Sequence, residues 1–132
     1  MKRFPRRYVP YRLFDKFNPY WDNSDRKKNA IFVGLVLGRL NDQLREHGFV
    51  TLNQALKALG FKTIQEGDYE GWVFEPDPKY GDGYITFGVW DDGFAAGMDW
   101  LNGDVDILKV RFNVDRVPLP ISLQKKKERD AS

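Results

Sequence analysis

LNDQLREHGFVTLNQALKALGF, residues 40–61, decides the fold. Leu40 and Leu44 are spaced as on one helix face, and Gly48 follows His47 where a left-handed residue ends a helix. Phe49-Val50 then reads as a short strand, and Thr51 as the N-cap of a second helix. Leu52, Ala55, Leu56 and Leu59 form the apolar face of that helix, and Gly60 stops it. The order is helix, glycine turn, strand, capped helix.

Upstream, Ser24 or Asp25 caps the first helix near Arg26, and Ile31, Leu35, Leu37, Leu40 and Leu44 mark its apolar positions. Gly34 and Gly38 stand one turn apart within it. Each costs a helix about 1 kcal/mol relative to alanine. The expected return is close approach of another segment of the chain. The longest apolar run, AIFVGLVLG at residues 30–38, is far short of the roughly 20 residues a membrane span needs.

Downstream the pattern turns β-like. GWVFEP (71–76) reads as a strand that Pro76 stops, and YGDG (80–83) as a turn. YITFGVW (84–90) alternates Tyr84, Thr86 and Gly88 against Ile85, Phe87 and Val89 and reads as the strongest strand. DDGFAAGMDWLNGD (91–104) reads as a loop with a hairpin signal at Asn102-Gly103. VDILKVRFNV (105–114) sets Ile107, Lys109 and Arg111 against Leu108, Val110 and Phe112. The fold class is α+β: two N-terminal helices packed on a small antiparallel β-sheet, with an extended basic N-terminal arm. The chain divides into the arm at 1–25, one compact domain at 26–121 and a polar charged tail at 122–132.

Charge follows the same division. Residues 1–28 hold nine Lys/Arg against three Asp, whereas residues 29–120 hold eight against fourteen acidic residues. An acidic body therefore carries basic ends, a layout suited to electrostatic docking. The basic start lacks the apolar stretch and small-residue cleavage site of a secretory signal.

The arm is MKRFPRRYVPYRLFDKFNPYW, residues 1–21. Pro5, Pro10 and Pro19 forbid one continuous helix. Its aromatic rings are too many for a solvated tail, and its arginines can pair with carboxylates or stack on rings. Arg3, Arg6, Arg7, Tyr8, Tyr11, Arg12, Phe14, Phe17 and Trp21 are the candidate partner-binding residues. The expected partner is a protein, either further copies of the chain or a viral or host assembly. The basic arm also suits nucleic-acid phosphate. No membrane partner is expected. Removing residues 1–22 should then leave the body folded.

Catalytic chemistry finds little to stand on. The chain has no cysteine, which excludes thiolate nucleophiles and Cys-ligated metals. Its single histidine, His47, lies in a helix's last turn, where an imidazole suits the dipole. Asp77, Asp82, Asp91, Asp92, Asp99, Asp104 and Asp106 lie in or beside turns, where aspartate bonds its own backbone. DPKYGDG lacks the ligand spacing of an EF-hand, and the glycine-rich stretches match neither phosphate-binding fingerprint. We expect no catalytic residues, no metal and no cofactor. Trp72, Trp90 and Trp100 with Tyr84 and Phe87 would suit base stacking, but an acidic body repels phosphate, so core packing is the better reading.

Three stretches carry a resemblance. LNDQLREHGFVTLNQALKALGF, then EGWVFEP with GDGYITFGVW, and finally LKVRFNVDRVPLP resemble segments of small uncharacterised proteins of bacteriophages and prophages. The likeness runs from about Arg26 to Pro120. It implies a small phage accessory protein, in the host cytoplasm or on the virion, and it transfers no functional residue. The first expectation is thus a non-enzymatic phage-type binding protein that docks through its N-terminal arm onto a larger assembly. The alternative is a winged-helix-like nucleic-acid-binding protein reading bases through Asn53, Gln54 and Lys57. A metal-dependent hydrolase using turn aspartates is the third.

Overall fold

The computed structural model describes residues 11–74 and 83–114. In chain order the elements are β1 (Tyr11–Phe14), α1 (Arg26–His47), β2 (Phe49–Thr51), α2 (Leu52–Ala58), a 3₁₀ turn (Gln65–Asp68), β3 (Gly71–Val73), α3 (Phe94–Asn102) and β4 (Leu108–Arg111). The class is α+β, as the sequence predicts, with two separate two-stranded antiparallel sheets, β1–β4 and β2–β3.

The helical half forms where local signals place it. Asp25 caps α1 by accepting from the Lys27 amide, and Gly48 closes it in the left-handed conformation with its N–H on the Leu44 carbonyl. Thr51 and Gln54 form a reciprocal capping box at the start of α2. Leu52, Ala55, Leu56 and Leu59 are all buried. β2 then pairs with β3 in the register Phe49–Val73, Val50–Trp72, Thr51–Gly71.

Four sequence expectations are corrected. First, α1 turns a different stripe inward: Ala30, Val33, Val36, Leu40 and Leu44 are buried, whereas Ile31 is 59% and Leu35 65% exposed. The rotation follows the buried positions at three- and four-residue spacing, which Leu40 and Leu44 share but Ile31 and Leu35 do not. Second, among the described residues no segment approaches Gly34 or Gly38; a methyl group built on either meets nothing there within 4 Å.

Third, residues 84–90 are not a strand. The side-chain amide of Asn41 takes both backbone groups of Ile85, donating to its carbonyl (2.9 Å) and accepting from its N–H (2.9 Å). Phe87 (φ 56°) and Gly88 (φ 72°) then bend the backbone out of the β region. Ile85, Phe87 and Val89 still reach the core, so the alternation marks burial without marking a strand. Fourth, residues 94–102 form the helix α3. Gly103 ends it, and its N–H bonds to the Asp99 and Trp100 carbonyls. A side chain at 103 would collide with the backbone of Arg26 and Lys27, so the glycine lets α3 pack against the start of α1. The Asn102-Gly103 pair is therefore a helix cap and not a hairpin turn.

Residues 11–25 are part of this body. β1 pairs with β4 in the register Tyr11–Arg111, Arg12–Val110, Leu13–Lys109, Phe14–Leu108. Phe14 is completely buried, its ring centroid 5.5 Å from Trp21, 5.6 Å from Phe32 and 6.2 Å from Phe61. The boundary expected after residue 25 thus falls inside the core. Only Tyr11–Phe14 is extended before the chain turns, and an extended segment pairs with its own chain as readily as with another.

Candidate functional site

Of the nine candidate binding residues, Arg3, Arg6, Arg7 and Tyr8 lie outside the described residues. The other five separate by role. Phe14 is core and offers no surface, whereas Trp21 packs against the core cluster and stays partly exposed. This corrects the assignment of Phe14 to partner binding: a ring enclosed by its own fold has no area left for another molecule. Tyr11, Arg12 and Phe17 face outward to differing degrees, Phe17 most of all at 84% exposure. Leu13 and Tyr20, which sequence reasoning left out, are about half exposed beside them. The two-residue period of β1 fixed this: with Phe14 inward, Leu13 must face outward.

The hydrogen bonding of β4 sets the edge. Arg111 N–H donates to the Phe87 carbonyl (3.1 Å), away from β1. Opposed residues in an antiparallel pair either exchange both bonds or none. Tyr11–Arg111 and Leu13–Lys109 are therefore the non-bonded pairs, and the backbone groups of Tyr11 and Leu13 point outward. The Tyr11 carbonyl takes a bond from the guanidinium of Arg12 (2.8 Å). No other strand joins this edge among the described residues.

The face beside that edge is aromatic and cationic. Lys109 Nζ sits 4.4 Å from the Tyr11 ring centre, and Lys16 Nζ 5.3 Å from that of Phe17. Such contacts hold a cation over a ring without neutralising it. Arg111 is otherwise engaged, 3.1 Å from Asp92 and 3.6 Å from Asp91. Around the corner, Asp15, Lys16, Trp21, Asn23, Arg26 and Asp106 line a cleft of about 440 Å³. Arg26 and Asp106 pair across its rim (2.8 Å).

Side-chain amides position these segments. Buried Asn18 donates to the Leu59 carbonyl (2.9 Å) and accepts from the Tyr20 amide (2.8 Å), which anchors the loop after β1 to the end of α2. Asn29 bonds the backbone N–H and carbonyl of Asp22. Asp22 in turn accepts from the hydroxyl and amide of Ser24, which hold its carboxyl below the usual range.

The base-reading reading of α2 loses two of its three side chains. Asn53 is buried and binds both backbone groups of Ile64 as well as Asp68. Gln54 is held by the capping box and by Gln43. His47 lies with Asp42, Glu46 and Gln54 on a separate open cleft of about 460 Å³. Among the described residues no group of acidic or imidazole side chains could hold a metal ion. Among the same residues no helix is long and apolar enough to cross a membrane.

A family model described as a family of unknown function (DUF6353) matches residues 6–120, and the chain belongs to that family. The match begins before β1, within the segment that the sequence alone sets apart as an arm. No curated protein and no solved structure matches the chain.

Proposed function

We propose that this is a non-enzymatic binding protein of phage type, which joins a larger protein assembly by accepting an extended partner segment along the outer edge of β1. The observation that carries this reading is the outward-pointing backbone of Tyr11 and Leu13 on an edge that no other described strand covers. An open edge offers main-chain hydrogen bonds to an incoming strand, while alternate side chains supply selectivity. Exposed Tyr11, Leu13, Phe17 and Tyr20 provide apolar area there, and Lys16 and Lys109 favour an acidic segment. Arg3, Arg6 and Arg7 precede β1 in sequence and add positive charge to the same part of the chain. The resemblance to phage and prophage proteins supports a role in the host cytoplasm or on the virion.

Leu13→Pro tests the reading. Proline removes only an N–H that points away from β4, and an edge strand tolerates it there. The variant should keep its circular dichroism spectrum and melting temperature, yet lose the proteins that co-purify with the wild-type chain from its natural cells. Unchanged co-purification with the edge blocked would end the strand-addition model. Binding to DNA or RNA with a steep salt dependence, retained in Leu13→Pro, would favour the nucleic-acid alternative.

A further inference from the structure

The exposed face of α1 does not use what its sequence provides. Ile31 and Leu35 stand 59% and 65% exposed, next to two glycines that no other described segment approaches. Glycine inside a helix is unfavourable, and among the described residues no contact compensates. At about 100° per residue, Lys27, Ile31, Gly34, Leu35, Gly38 and Asp42 fall within one stripe about 100° wide. All six are exposed.

The order along that stripe is self-complementary. Read outward from a point midway between Gly34 and Leu35, these six residues form matching pairs, while Arg45, which falls in the same stripe, is engaged by Asp42 on its own helix. Leu35 is matched by Gly34, Ile31 by Gly38, and Lys27 by Asp42. A two-fold axis through that point lays two copies of α1 antiparallel. Each Ile31 then enters the gap over Gly38 of the other copy, the two Leu35 side chains meet beside the axis, and each lysine meets an aspartate. Two-fold interfaces require such reciprocal pairing, because the same surface meets itself. Antiparallel packing also places opposite helix-dipole ends side by side.

We propose that the α1 face is a homodimer interface, with a second copy of this chain as its occupant. Charge complementarity selects that occupant: Lys27 at one end and Asp42 at the other are matched by the reversed order in a second copy. Asp42 already pairs with Arg45 on its own helix, so the partner's lysine completes a three-charge cluster at each end. Parallel pairing would bring like charges together and is excluded on that ground. This inference is independent of the β1 edge, which lies on a different element.

Sedimentation equilibrium on the full chain, from micromolar to several hundred micromolar, tests the proposal. The wild-type protein should be dimeric at the upper end. Leu35→Glu should raise the dissociation constant at least tenfold. Lys27→Glu and Asp42→Lys should each weaken association, and the double variant should restore it, since the reversed charges again match across the two-fold axis. Gly38→Leu should weaken association while raising the melting temperature of the dilute monomer, because the face is open there and leucine is the better helix former. A wild-type chain that stays monomeric throughout would overturn the proposal. So would a dimer that none of these substitutions changes, or a charge-swapped double variant no better than its parents.

Discussion

Between Leu40 and Gly60 every helix end is closed from within a few residues. Leu44 receives Gly48, Thr51 caps Gln54, and Gln54 returns the bond to Thr51. Between Gly83 and Val89 the backbone is held from far away. Asn41 binds Ile85 across 44 positions, and Asn113 holds Tyr84 and Thr86 while also accepting from the Trp72 indole. Both sets of bonds satisfy buried backbone groups, as a packed interior demands, although the buried Trp100 indole N–H has no partner among the described residues. The first does so through neighbours in sequence and the second through tertiary partners. Hence the first region keeps regular elements, and the second keeps irregular backbone with buried apolar side chains.

Residues 11–21 belong with the second kind, and Phe14→Ala is the most severe way to break that assignment. Deleting a fully buried phenylalanine ring costs about 3–5 kcal/mol. Denaturant titration should register a loss of that size. An arm independent of the body would give none, and the comparison would fail at its N-terminal end.

Asn41→Ala probes the long-range clamp itself. It strands the N–H and the carbonyl of buried Ile85, at about 1–3 kcal/mol for each group left unpaired. Amide exchange should accelerate at Ile85 while the α2 amides keep their protection. Uniform acceleration would mean that the two regions open as one unit.

Thr51→Ala is the local counterpart. Losing one N-cap side chain costs about 1 kcal/mol, less than the distant clamp. A loss exceeding that of Asn41→Ala, in the same denaturant series, would reverse the ranking of local and tertiary control.

The smallest effect concerns Asp22. Its hydrogen bonds from Ser24 depress its folded pKa below the ordinary value of about 3.9. Its contribution is therefore present above that value and fades as pH falls through the lower, folded one. Asp22→Asn should flatten only this most acidic part of the stability profile. A difference from wild type that grows between pH 5 and pH 7 would contradict the assignment.

The candidate site was legible in part. Tyr11, Arg12 and Phe17 stand out as aromatic and basic residues in an unpatterned stretch, and all three contribute to the surface beside β1. Leu13 was missed, because only the pairing of β1 with β4 tells inward from outward along four residues. Phe14 was misread for the same reason, since composition carries no record of which rings pack inside.

By itself the sequence determined whatever is settled within one or two helical turns: a cap for α1 at Ser24 or Asp25, the Thr51 cap, the Gly48 stop, the burial face of α2, and the alternation that sends Leu108, Val110 and Phe112 inward. Capping and periodicity act over a few residues, so their signals lie close together in the chain. Only the tertiary structure decided which stripe of α1 is buried, that residues 84–90 bend around Asn41, that residues 94–102 form a helix closed against α1, and that β1 completes a sheet with β4. Each of these depends on groups dozens of positions apart, whose meeting lowers the free energy only once the whole core has formed.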